Sequence, residues 1–177
     1  MKNAIITIAL VLLASILIVC QLDINQMERQ GYMVKHAADQ VANAAGVSID
    51  LNEYSKGYII FNYDRANALA KEVFCENLGY LENYTPNNDY FYEPAKVHVF
   101  YFDQSMTAKY YLNGVWQRDF EFDFGKNFSV YSNLGNDFKI SMPCVCVIID
   151  AGKPRIRLSF ALGQGRISKS SVYEYVY

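Results

Sequence analysis

From Ala4 to Leu22 every residue is apolar or small except Thr7, Ser15 and Gln21, and none is charged. At the helical rise this run of about 19 residues reaches about 28 Å, close to the hydrocarbon thickness of a bilayer, so it predicts a membrane-spanning helix. The pattern then turns amphipathic: Ile24, Met27, Gly31, Val34, Ala38, Val41 and Ala45 recur at alternating spacings of three and four, one helical stripe. Gln26, Arg29, Gln40 and Asn43 occupy the opposite face, and Gly46 is the expected stop. A second helix is expected from Asn62 or Asp64, with Ala66, Leu69, Ala70, Val73 and Phe74 on one face and Gly79 at its end.

From Ala95 the period changes to two. Asn113-Gly114 separates Tyr110-Tyr111-Leu112 from Val115-Trp116, a strong hairpin signal because both turn positions need positive φ. The second arm alternates Phe120, Phe122 and Phe124 with Asp119, Glu121 and Asp123, predicting one buried and one wet face. Arg155 to Phe160 repeats the alternation with basic residues outward, so a cross-strand pairing of its arginines with the acidic row is expected. Phe128 to Tyr131, a turn at Asn133 to Asp137, and Met142 to Ile149 supply further strands, and Gly152-Lys153-Pro154 turns the last hairpin. The order is helix, helix, then antiparallel β-meander, the α+β class. The division expected is an anchor over 1–22, an amphipathic stem over 23–46 and an α+β domain over 47–177.

Composition agrees with an anchored chain. Charged residues are 19% against 52% hydrophobic, below the roughly 25% charged share of soluble domains. A cleaved signal peptide is disfavoured: the segment ends Leu17-Ile18-Val19-Cys20-Gln21 without a small-x-small site, and Val19 stands where a lipoprotein would carry a small residue before Cys20. Lys2 and the amine precede the span, so the tail is expected in the cytoplasm and the domain outside it. With 16 basic and 18 acidic side chains, there is no basic excess to hold nucleic acid.

Catalytic chemistry is sparse. His36 lies on the stem and His98 in Val97-His98-Val99, where a solvent-facing strand position is expected; no phosphate loop, His-Glu-x-x-His pair or nucleophile elbow occurs. No catalytic, cofactor-binding or metal-ligating set is expected, and the chain reads as a non-enzyme. Asp119, Glu121 and Asp123 stand at alternate strand positions almost 7 Å apart by the usual strand rise, a solvated face rather than a loop curled around a cation. Cys75 is expected either to bridge Cys144 or Cys146, pinning the second helix to the sheet, or to remain a free thiol like them. Tyr80, Tyr84, Tyr90 and Tyr92 crowd a long loop from Tyr80 to Glu93, which is either an interaction surface or a cover packed on the sheet.

The stem residues Val34-Lys35-His36-Ala37-Ala38-Asp39-Gln40-Val41-Ala42-Asn43-Ala44-Ala45, following a short tail and one hydrophobic helix, resemble the TadE/TadG-like minor pilins (pseudopilins) of bacterial tight-adherence pilus systems. Tyr63-Asp64-Arg65-Ala66 with Ala70 looks like the second helical element of that family, so the resemblance covers about the first 80 residues. Unlike pilins processed by a prepilin peptidase, this chain has no acidic residue before Asp23. The resemblance implies a membrane-retained assembly component whose partners are the membrane and other pilin-like subunits, in a homo- or hetero-oligomer. The stem stripe is then expected to pack on its own domain, on neighbouring subunits, or on both. The alternative expectation is a tethered binding module that contacts a ligand or the cell wall through its tyrosine-rich loop and sheet.

Overall fold

A computed structural model describes residues 2–125, 127–130, 136–157 and 165–175. The protein is α+β, with a long N-terminal apolar helix, further helices and a five-stranded antiparallel sheet. Helix α1 (Lys2–Gly46) is unbroken over 45 residues, about 67 Å at the helical rise. Its apolar first half stands clear of the rest of the protein, and its second half is built into the domain.

The short α2 (Leu51–Tyr54) is capped by Asp50, whose carboxylate accepts from the amides of Asn52 and Glu53. Helix α3 (Tyr63–Leu78) starts at Asn62, whose side chain accepts from the Arg65 amide, and stops at Gly79 with φ 64°. Five strands form the main sheet: β1 (Lys96–Phe102), β2 (Thr107–Leu112), β3 (Val115–Glu121), β6 (Cys144–Asp150) and β7 (Ser168–Glu174), in the order β3-β2-β1-β6-β7. A separate hairpin of β4 (Asn127–Val130) and β5 (Asn136–Lys139) is inserted between β3 and β6. Tyr131 and most of the expected turn at Asn133 to Asp137 lie outside the described residues.

The sheet is covered on both faces. Val97, Val99, Tyr101, Val145, Val147 and Ile149 face α1 and α3 in one core with Val34, Ala38, Val41, Ala45, Ala66, Ala70 and Phe74. Alternate positions Phe100, Phe102, Cys144, Cys146 and Ile148 face a second core with Ile140, against which Phe120, Phe122 and Phe124 pack. The central strands β1 and β6 are therefore apolar on both sides, the pattern of buried strands, whereas β3 at the sheet edge is mostly exposed. The alanines let α1 approach its neighbours closely. Gly46 takes this furthest: a Cβ there would lie 2.7 Å from Cγ and 2.8 Å from Cε1 of Tyr173.

Asp103 locks the far end of the sheet to the helices. It is fully buried, accepts from the Tyr63 hydroxyl and from the amides of Phe61 and Ser105, and so joins the start of α3 to the turn after β1.

Three expectations are corrected. Arg155 and Arg157 do not face the acidic row: β3 pairs with β2 on one side only, with Asp119 opposite Lys109, while both arginines lie beside α1. Leu158, Ser159 and Phe160 lie outside the described residues. His98 does not face solvent, because both faces of β1 are covered; it is buried, with Nδ1 2.9 Å from the Tyr110 hydroxyl and its ring stacked on that tyrosine. Gly152-Lys153-Pro154 does not turn β6 directly into its partner: Pro154 bridges Phe91 instead, and the strand that pairs with β6 is β7, which begins only at Ser168. As for the cysteines, Cys75 packs against the core on the helix side of the sheet, whereas Cys144 and Cys146 lie in the core on its other face.

Candidate functional site

The feature with the clearest functional geometry is the seam where α1 leaves its apolar half and meets the domain. Its docked half is lined by Asp23, Gln30, Val34, Ala37, Ala38, Val41, Ala42 and Ala45, all buried. Val34, Ala38, Val41 and Ala45 of the expected stripe belong to this face; Gly31 and Met27 are half-buried and Ile24 is exposed. The stripe expected from a strict seven-residue repeat drifts off a straight helix by about 20° per heptad. Counted back from Ala45, three heptads bring Ile24 out to solvent, and Asp23 replaces it. The spacing Asp23, Val34, Ala45 is an eleven-residue period, that of a straight or slightly right-handed contact.

The lower part of the seam is held by polar groups. Gln26 Nε2 donates to the Arg155 carbonyl at 3.0 Å, Gln30 Nε2 donates to the Tyr90 carbonyl at 3.2 Å, and Asp23 Oδ1 accepts the Arg157 amide at 3.2 Å. The upper part is held by β7: Ser171 Oγ donates to Asp39 Oδ1 at 2.6 Å, Lys35 Nζ donates to the Ser170 carbonyl at 3.0 Å, and the Tyr175 hydroxyl donates to the Gly46 carbonyl. Burial pushes the Asp39 carboxyl upward, but its hydrogen bonds from Lys35 and Ser171 outweigh this and hold it below the usual carboxylate value. Sequence periodicity missed Asp23, Gln26 and Gln30 because it scores them as surface residues. The spacing of those three, on the same turn-to-turn line as the alanines, was the available signal.

The tyrosine loop divides in two. Tyr80 and Tyr84 are core residues, with rings against Phe74 and the Tyr80 hydroxyl donating to the Ala151 carbonyl at 2.8 Å. Burial raises both phenols, Tyr84 to about 12. Tyr90 and Tyr92 are 42% and 52% exposed, and the Arg155 guanidinium lies 4.8 Å from the centre of the Tyr92 ring. The loop is not loose: Asn88 Nδ2 donates to the carbonyls of Leu78 and Gly79, while its Oδ1 accepts from the amides of Tyr90 and Phe91.

All four cysteines are free thiols. Cys75 is half-buried against the helix-side core and lies 3.5 Å from the Leu81 carbonyl; Cys144 and Cys146 are buried in the core on the other face, with sulfurs 4.0 Å apart. Their contact and their burial raise the Cys146 thiol well above its ordinary value, so it stays protonated and unreactive at neutral pH. On the acidic row, Asp119 accepts from the Trp116 indole N–H at 2.9 Å. Compared with protein-family models, with curated proteins and with solved structures, the chain matches none.

Proposed function

We propose that this chain is a membrane-anchored, minor pilin-like (pseudopilin) component that helps build a bacterial surface pilus or secretion apparatus, with its tail in the cytoplasm and its domain outside. The observation that carries this reading is the continuity of α1. One helix holds a fully exposed apolar segment and also forms a wall of the domain core, with no break at the join. A flexible linker would let the domain sample many orientations, whereas a continuous helix fixes them, as a subunit that must present one face to its neighbours requires. The resemblance of the alanine-rich stem to TadE/TadG-like proteins supports the same reading.

The face left for neighbours is the outer side of the stem. Tyr32 is 76% exposed there, and Glu28, Arg29, His36, Gln40 and Asn43 accompany it. A photo-crosslinking residue at position 32, introduced into the full chain in bacterial membranes, should give adducts with other single-span subunits. The same probe on α2, for example at Asn52, should give fewer. Equal or absent crosslinking at both positions would remove the support for an assembly role.

The tethered binding module keeps one supporting observation, the exposure of Tyr90 and Tyr92. Because Tyr80 and Tyr84 belong to the core, a loop deletion would unfold the domain. The paired substitutions Tyr90→Ala and Tyr92→Ala, which should leave the fold intact, are the appropriate test of that reading.

A further inference from the structure

Asp23 is the first residue beyond the apolar run, and its Oδ1 accepts the Arg157 amide at 3.2 Å. One turn on, Gln26 Nε2 holds the Arg155 carbonyl at 3.0 Å. A further turn on, Gln30 Nε2 holds the Tyr90 carbonyl, which also accepts the Arg155 amide at 2.7 Å. The segment from Arg155 to Arg157 therefore descends along α1 and ends level with the last apolar residue. At the helical rise, Asp23, Gln26 and Gln30 stand about 1.5, 6 and 12 Å beyond Leu22. The headgroup layer of a bilayer is about 5–8 Å deep on each side of the hydrocarbon. With the apolar run in the bilayer the domain has no clearance: the Arg157 backbone is at the base of the headgroups and that of Tyr90 just above them.

The edge held at this depth has the composition of a membrane interface. Arg157 is exposed, and among the described residues its guanidinium meets no carboxylate. Half-buried Arg155 gives its Nε to the Phe91 carbonyl and lies over the ring of exposed Tyr92. Exposed Tyr90 lines, with Leu22 and Arg157, the cavity at the join of α1 and the domain. Of the acids nearby, Asp23 is buried and spent on the Arg157 amide, and Asp89 is exposed in the loop. Glu28 is turned about 160° round the helix from Gln30, away from this edge. Tyrosines and arginines are the side chains that interfaces favour, and such anchors set the tilt and rotation of a spanning helix.

We infer that this edge, made by Tyr90, Tyr92, Arg155 and Arg157, docks on the phosphate layer of the phospholipid bilayer and leans α1 toward its Gln30 side. A tilt of ordinary size, about 20°, lowers a point about 10 Å from the helix axis by about 3 Å, which brings the tyrosine rings down to the headgroups. Tyr32, about 160° round from Gln30, is thereby tipped up and away from lipid. Arginine grips a phosphodiester whatever is esterified to it, so the surface recognised is phosphate and not one kind of headgroup. The inference rests on the membrane-anchor part of the proposed function, but on neither the pilus nor the orientation across the membrane.

The test is nitrogen-15 solid-state NMR of the full chain in aligned bilayers of phosphatidylcholine, which reads the tilt of the spanning half and the side toward which it leans. A tilt of about 20° or more toward the Gln30 side is expected, and the same side in bilayers containing phosphatidylglycerol. Arg157→Gln, and separately Tyr90→Ala with Tyr92→Ala, should each reduce the tilt or abolish its preferred side with the melting temperature of the domain kept. Arg29→Gln, about 100° round the helix from Gln30, should change neither. A lean toward Tyr32, a lean seen only with phosphatidylglycerol, an equal shift in Arg29→Gln, or no shift in the Arg157 and tyrosine variants would overturn the inference. A helix lying flat in the bilayer plane, or a chain that does not enter bilayers, would overturn the anchor and the inference with it.

Discussion

At the scale of single residues, three groups make the fold depend on conditions that can be dialled. Burial lowers the His98 pKa, with Asp150 opposing and Lys96 adding to the effect, so the folded protein holds this imidazole neutral. Below the ordinary histidine value of about 6.5 the unfolded chain takes up a proton that the folded chain refuses, and stability falls as pH falls. The slope from this one group is at most about 1.4 kcal/mol per pH unit. Denaturant melts between neutral and mildly acidic pH should show it, and His98→Gln should flatten it. Two tyrosines act at the other end: buried Tyr84 and half-buried Tyr175 are raised from 10.0 to about 12 by burial, so the stability they confer is intact below the lower value and lost as pH rises through the upper one. Gly46 is needed for space rather than for turning. Gly46→Ala drives a methyl into the Tyr173 ring and should cost about 1–3 kcal/mol by thermal melting, with partial recovery in Gly46→Ala combined with Tyr173→Leu.

At the scale of elements, the stretches with strong local signals were readable in the sequence. Asn62 and Gly79 bound α3 as their capping chemistry requires, and Asn113-Gly114 turns the β2–β3 hairpin with φ of 51° and 75°. Asn113 does more than turn. Its Oδ1 accepts from the Val97 amide at 2.7 Å and its Nδ2 donates to the Ala95 carbonyl at 3.2 Å, which ties the hairpin to the start of β1. Asn113→Ala should therefore cost more than a turn residue usually does, about 1–3 kcal/mol by chemical denaturation, because two backbone groups lose partners. Asn113→Gly keeps the turn and isolates that loss. What the sequence hid depends on long-range packing. The strand β7, Ser168–Glu174, carries mostly polar residues that face α1 through Ser171 and Lys169, so no period-two signal marks it. Alternation alone marks His98 as a solvent-side position, but β1 is covered on both faces, so the imidazole is buried. At the seam, the heptad reading found the upper half of the docked face at Val34 to Ala45 and lost the lower half, where polar Asp23 and Gln30 take over burial from Ile24.

For the whole molecule, one helix is an exposed apolar rod over its first half and part of the domain core over its second. Because Ala38 is fully buried within the protein's own domain, Ala38→Leu measures overpacking of that domain, not association. It should lower the melting temperature, whereas Tyr32→Ala on the outer face should leave it unchanged and weaken recovery of partner subunits. Gly31→Leu lies between these cases: a Cβ there meets only Lys169 Cε at 3.7 Å, which the flexible lysine can accommodate. The direct test of the central claim is alkaline-carbonate extraction of bacterial membranes followed by intact mass measurement of the extracted chain. The account predicts that the protein stays in the pellet at the mass of the entire sequence, Ala4 to Leu22 included. A carbonate-soluble species whose mass lacks that segment would contradict it.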